Sequence, residues 1–288
     1  MNRKATDYLV TPDMDKPEEW TYPIDFDGIG AMAALVGREA DEGTDRLKKA
    51  IGGRTVALCL NGGSIEQLER YAGGFGLFDI CWMGINRFSA IEKNLLKPTG
   101  QEMDIVFCMS EQDIPKRMWD IRAFLGRGKD KLVMTTLSAL TWVDASERNH
   151  LLDTRGDQLY LMPRLMCRPA YPISLEVIVD KLIEAECASL IVFGADGYLE
   201  PGMEDMTDLE LIRSNQQKML ATYYDAEFFK TERRATGVAV GTVRFNRNFT
   251  YEPEKMTIVN CSPDSKYAHI PTTTYEGLLA RLALGGLS

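Results

Sequence analysis

Short apolar runs alternating with helical stretches predict an α/β fold built on a mostly parallel sheet. The runs Thr55–Leu60, Phe78–Ile85, Asp104–Met109, Leu132–Leu137, Gln158–Met162, Ser189–Phe193 and Met256–Val259 read as strands. Helical stretches such as Ile114–Leu125 and Leu175–Ala185 separate most of them, which is the rhythm of βαβ crossovers. Runs like Ser189-Leu190-Ile191-Val192-Phe193 are apolar on both faces, so helices are expected on both faces of the sheet, a Rossmann-like arrangement.

Taken in order, residues 1–25 are polar, acidic and proline-containing, and read as an N-terminal arm. Residues 26–288 read as a single α/β domain. Residues 29–51 carry Ala, Leu, Val, Lys and Arg at helical spacing, and Gly52-Gly53 supplies the stop. The first strand runs straight into Asn61-Gly62-Gly63-Ser64, and Ile65–Tyr71 then has helical character, with Ser64 placed as its N-cap. Residues 197–250 break the rhythm. Gly197–Asp208 is acidic, Leu209–Phe229 reads as helical, and Thr231–Asn248 is basic with Gly237 and Gly241. A late insertion of this kind reads as a lid over a ligand site, or equally as a small helical subdomain.

Charge narrows the partners. Lys and Arg number 33 against 42 Asp and Glu, a net charge of −9, with a pI near 5.0. That balance argues against a nucleic-acid groove, which needs a basic field, but leaves room for one small basic site. Cys59, Cys81, Cys108, Cys167, Cys187 and Cys261 form no C-x-x-C pair and read as small buried hydrophobes in a reducing compartment. The opening residues lack an apolar signal core, and no apolar run approaches the roughly 20 residues that span a bilayer. The expectation is a cytoplasmic protein with no transmembrane segment; peripheral attachment at the inner membrane and homo-oligomerisation are left open.

Candidate site residues gather at the ends of strands, where open parallel sheets bind ligands. Asn61, Gly62, Gly63 and Ser64 could cradle a phosphate through main-chain amides. Asn86 and Arg87 follow the second strand and could meet a ribose or base and a phosphate. Gly194 and Asp196 follow a later strand, where the carboxylate could serve as a general base or hold a divalent metal. Asn260 and Ser262 follow the last strand and could embrace a base or sugar. Of the two histidines, His150 reads as a surface residue and His269 as the better candidate acid or base. The basic run Lys230, Arg233, Arg234, Arg244 and Arg247 could serve a phosphorylated ligand, although a solvated face is the commoner origin of such a run.

Leu60-Asn61-Gly62-Gly63-Ser64-Ile65 resembles the N-G-P-S-L motif of the bacterial family-42 sialyltransferases and the G-P-S-L motif of the archaeal 6-hydroxymethylpterin diphosphokinase-like proteins. Phe78-Asp79-Ile80 followed by Asn86, the stretch Ser174–Asp196, and Asn260-Cys261-Ser262-Pro263-Asp264-Ser265 are similar to further sialyltransferase segments in the same order. The resemblance covers roughly residues 55–275, with gaps. It implies a nucleotide-sugar donor, CMP-type favoured, a glycan or other hydroxyl acceptor, and a nucleotide-binding role for Ser174. The departures are Gly63 in place of proline, no histidine base within Arg213–Glu232, and no basic C-terminal tail. A base would then come from Asp196, Asp225 or His269. The leading expectation is a glycosyltransferase-like enzyme. The alternatives are a Mg²⁺-dependent diphosphokinase, with Asp196 under ATP phosphates, and a non-catalytic nucleotide-binding protein.

Overall fold

The computed structural model describes residues 42–86, 88–108, 114–136, 139–140, 143–162, 174–207, 210, 220–225, 230–235 and 238–287. The N-terminal arm, Arg87 and Cys167 therefore lie outside the described residues. The main sheet has seven parallel strands: β1 (Thr55–Cys59), β2 (Ile80–Ile85), β3 (Ile105–Cys108), β4 (Leu132–Thr136), β5 (Leu159–Met162), β6 (Ser189–Phe193) and a last strand, Thr257–Asn260. Their spatial order is β5-β4-β3-β2-β1-β6 and then that last strand. The expected Rossmann-like α/β fold is thus the observed one. All six residues of β2 are buried, so both faces of the sheet are covered there.

The chain divides into two compact units, Met1–Ala50 with Ile105–Tyr171, and Ile51–Asp104 with Pro172–Ser288. In the first, a helix over residues 42–51, α1, lies beside β5. Arg46 donates to the Leu159 carbonyl at 2.8 Å, and the Thr44 and Tyr160 hydroxyls meet at 3.1 Å. The buried amide of Gln158 ties the connection into β4, donating to the Gly128 carbonyl at 2.6 Å and that of Lys131 at 3.1 Å.

The second unit carries the predicted site. After β1 comes a 3-10 turn, Gly63–Gln67, that leads into α2 (Leu68–Phe75). A short α3 (Phe88–Ile91) follows β2. In the first unit α4 (Ile114–Leu125) and α5 (Ala145–Arg155) flank β4 in sequence. In the second, α6 (Ser174–Glu184) delivers β6. The core beneath the β1 turn is aromatic. Phe193 stacks on Tyr275 with centroids 5.3 Å apart and on Trp82 at 6.0 Å, and Phe75 meets Phe193 edge-on at 5.3 Å. Such pairs add about 0.5–1.5 kcal/mol each beyond their buried area.

The insertion differs from the helix expected over Leu209–Phe229. Leu220–Asp225 is a strand, β7, paired antiparallel with β8 (Lys230–Ala235), Leu220 opposite Ala235 and Asp225 opposite Lys230. Leu-Ala-Thr-Tyr-Tyr is rich in β-branched and aromatic residues, and cross-strand pairing outweighs the helical bias of the flanking sequence. The hairpin lies alongside the 3-10 turn. Helix α7 (Val238–Asn248) follows, then the last strand, β9 (Thr257–Asn260), and α8 (Tyr275–Ala283). The loop 198–206 packs onto α7 through Met203 and Val243, and the Arg247 guanidinium donates to the Glu204 carbonyl at 2.7 Å. At least one cation of the basic run therefore anchors a loop.

Candidate functional site

The chain fills the sheet outward from β1 in one direction as far as β5, then returns to place β6 on the other side of β1. This reversal is the topological switch point of the sheet. Connections leave β1 and β6 in opposite directions there, and open parallel sheets generally hold their ligands beyond the carboxyl ends of strands at such a point. Asn61–Ser64 leaves β1 at that point, and Gly194–Asp196 leaves β6.

The two loops are joined. The Leu60 amide donates to the Phe193 carbonyl and the Gly62 amide to the Gly194 carbonyl, each at 2.9 Å, so backbone pairing runs on past the strands. Glycine is needed at both crossing points. A Cβ on Gly62 would sit 2.3 Å from the Gly194 carbonyl oxygen, and one on Gly194, whose φ is +70°, would sit 2.8 Å from that of Leu60.

Beyond this junction Asp196 turns back onto Ser64. Its Oδ2 accepts the Ser64 amide at 2.9 Å and its Oδ1 accepts the Ser64 hydroxyl. The Ser64 and Ser262 hydroxyls lie 2.7 Å apart. Since Ser64 gives its own proton to the carboxylate, the proton between the serines belongs to Ser262, and the chain of donation runs Ser262 to Ser64 to Asp196. Three strand ends, those of β1, β6 and β9, thereby meet in one hydrogen-bonded cluster.

Two expectations change. Ser64 is not an N-cap: the 3-10 turn begins at Gly63 with Gly62 before it and no side-chain cap, because the Ser64 hydroxyl is engaged by Asp196 instead. The Ser64 amide, expected to face a phosphate, already holds an anion. A phosphate set on that amide would lie against Asp196, and two unit charges about 4 Å apart repel by about 4 kcal/mol near a protein surface.

Asn260 and Ser262 support the cluster from below. Asn260 is fully buried; its Nδ2 donates to the Ala195 carbonyl at 3.1 Å and its Oδ1 accepts the Ser262 amide at 3.0 Å. Its side chain is committed to fixing the β6 and β9 loops against each other. Other residues act alike without any local pattern having pointed to them. Ser265 donates to the Ala195 carbonyl at 2.6 Å, the Lys266 amide to the Asp196 carbonyl at 2.7 Å, and the buried Tyr275 hydroxyl to the Ser64 carbonyl at 3.3 Å. Burial above all raises the Tyr275 phenol far beyond its ordinary range, with Cys261, Cys59 and Asp196 adding to it, so the phenol acts as a neutral donor.

The remaining candidates lie around this cluster or apart from it. Asn86 directly follows β2, the neighbour of β1, and holds φ at +39°, a conformation that asparagine tolerates better than most residues. Its Oδ1 is buried and has no hydrogen-bond partner among the described residues. Ser174 opens α6, and no hydrogen bond links it to the Asp196 cluster among the described residues. His269 is exposed, with Nε2 2.8 Å from the Asn246 carbonyl, and belongs to the β9–α8 connection rather than to the Asp196 cluster. Asp225 ends β7, in the hairpin beside the 3-10 turn. His150 is exposed, as expected. The five described cysteines are buried free thiols. Among the described residues no helix is long and apolar enough to cross a membrane, and no group of three metal-ligating side chains converges.

No family model, no curated protein and no solved structure matches the chain.

Proposed function

We propose that this chain is a transferase that binds a nucleotide-activated sugar, CMP-type favoured, beyond the carboxyl ends of β1, β6 and β9, and passes the sugar to a hydroxyl acceptor. The observation that carries this reading is the meeting of Asn61–Ser64 with Gly194–Asp196 at the switch point of a parallel sheet, the place where this architecture holds nucleotides. Polar groups from three strand ends are fixed there by mutual hydrogen bonds, which is the preorganisation that a transfer site needs.

In the reaction the bond between the sugar and the nucleotide breaks, and its electron pair leaves with the phosphate. A new bond forms from the acceptor oxygen, whose proton passes to a carboxylate. Asn61, Gly62, Gly63 and Arg87 are assigned to the phosphate end, and Asn86 and Ser174 to the nucleoside. Asp225 is assigned as the base, because its strand lies along the 3-10 turn while both oxygens of Asp196 are already engaged by Ser64.

One observation favours a second reading. A phosphate that came onto the Ser64 amide beside Asp196 would need a cation between the two anions, which suits a Mg²⁺-dependent diphosphokinase. A thermal-shift series with CMP, UDP, GDP and ATP, each with and without Mg²⁺, separates the readings. The transferase reading expects stabilisation by a nucleotide without metal. Stabilisation only by ATP with Mg²⁺ moves the assignment to the kinase, and no stabilisation by any of them removes nucleotide binding. Binding without turnover over a donor and acceptor panel leaves a non-catalytic binding protein.

A further inference from the structure

The carboxylate of Asp196 is an acceptor with an orientation fixed by the fold. One oxygen takes the Ser64 amide at 2.9 Å, the other takes the Ser64 hydroxyl, and the Ser262 hydroxyl stands 2.7 Å behind Ser64. The Asp196 main chain is fixed as well, through the Lys266 amide at 2.7 Å. Every proton in this chain points toward the carboxylate, so what remains on its open side is lone pairs and negative charge. Asp196 is half-buried, in the loop that leaves β6 beside β1.

A ligand group that docks there must donate hydrogen. A phosphate cannot. A sugar bearing two neighbouring hydroxyls can, because a carboxylate oxygen has more than one acceptor direction and each oxygen of Asp196 has used one of them on Ser64. We infer that Asp196 is the specificity residue of the site: its carboxylate accepts the adjacent hydroxyls of the ligand's ribose and turns the phosphate away from the Ser64 amide. Ser64 and Ser262 are positioning residues that hold the carboxylate in place. The assignment rests on the nucleotide-binding reading above and fixes which end of the nucleotide meets β6.

The test is calorimetric titration of the full chain with CMP, UMP, GMP and AMP, each beside its 2′,3′-dideoxy counterpart, repeated on Asp196→Asn after its melting curve has shown it to be folded. Hydrogen bonds to a charged acceptor predict that wild type binds the ribose form of at least one nucleotide about tenfold or more tightly than the dideoxy form. In Asp196→Asn that preference falls to less than about threefold. Equal binding of the two sugar forms by wild type overturns the assignment while leaving nucleotide binding intact. A full ribose preference that survives in Asp196→Asn overturns it too, since another group would then be reading the hydroxyls. If none of the eight probes binds wild type, the nucleotide reading itself fails, and this assignment with it. Should Asp196→Asn fail to fold, Ser64→Ala, which frees one carboxylate oxygen from its hydroxyl partner without removing the carboxylate, takes its place, and an undiminished ribose preference in it overturns the assignment.

Discussion

Gly194 stands where two loops have no room for a side chain, and its backbone sits at φ +70°. An alanine there would face two separate penalties. The left-handed conformation costs an L-residue about 1–2 kcal/mol. The new methyl would also meet the Leu60 carbonyl oxygen at 2.8 Å and Ile65 Cβ at 3.1 Å, and overpacking of that kind costs about 1–3 kcal/mol. Gly194→Ala is therefore expected to destabilise the chain by about 2–5 kcal/mol in denaturant unfolding. A loss below about 0.5 kcal/mol, the usual scale of a neutral surface change, would mean that the β1 and β6 loops are not locked together in solution. Glycine at the end of a buried strand was visible in the sequence. The reason for it was not, because the obstructing oxygen belongs to Leu60, far away in the chain. The same holds for Ser64. Its local setting reads as a helix cap, and only the fold brings Asp196, 132 positions on, to claim its hydroxyl.

Among the elements, α8 shows how a helix at the end of the chain braces the candidate site. Thr274 caps it by accepting the Gly277 amide, at 3.0 Å. That cap sets the first turn, where Tyr275 stacks between Tyr71 and Phe193 with centroids 5.2 and 5.3 Å away and reaches the Ser64 carbonyl. Thr274→Ala should cost about 1 kcal/mol, and Tyr275→Ala about 3–5 kcal/mol. Tyr275→Phe keeps the stack and loses only one hydrogen bond, so it should cost about 1 kcal/mol. If Tyr275→Phe proves as damaging as Tyr275→Ala in chemical denaturation, the hydroxyl rather than the ring holds the loop. At this scale the strands were the most readable elements, since buried parallel strands are continuous apolar runs and the helices between them have strong periodicity. The hairpin of β7 and β8 was not readable. Glu210, Gln216, Gln217 and Lys218 lend the stretch before it a helical look, while its strands are held by partners on each other rather than by a local pattern. The site was legible as a set of strand ends, and its internal wiring was not.

For the molecule as a whole, the buried thiols couple stability to alkaline pH. Cys261 is completely buried at the end of β9, and desolvation pushes its thiol from an ordinary 9.0 up to about 12. Cys59, at the end of β1, is raised further in the same direction by the same cause. In the unfolded chain these thiols ionise near 9.0, whereas in the folded chain they keep their protons. Above that pH the folded state binds more protons than the unfolded one, so stability falls as pH rises. The contribution is intact below about pH 9 and declines between about 9 and 12 for Cys261. Its slope approaches about 1.4 kcal/mol per pH unit for each thiol. Lysine and tyrosine ionisation also act in that range, so the measurement is a difference between proteins. Cys261→Ala loses packing at every pH but has no thiol to ionise. Its stability deficit relative to wild type, from guanidinium unfolding at pH 8, 9, 10 and 11 under reducing conditions, should therefore shrink steadily with pH. A deficit that stays constant from pH 8 to 11 would mean that Cys261 is open to solvent in the folded protein, and that the packing of β9 against β6, which the site depends on, is looser than these contacts require.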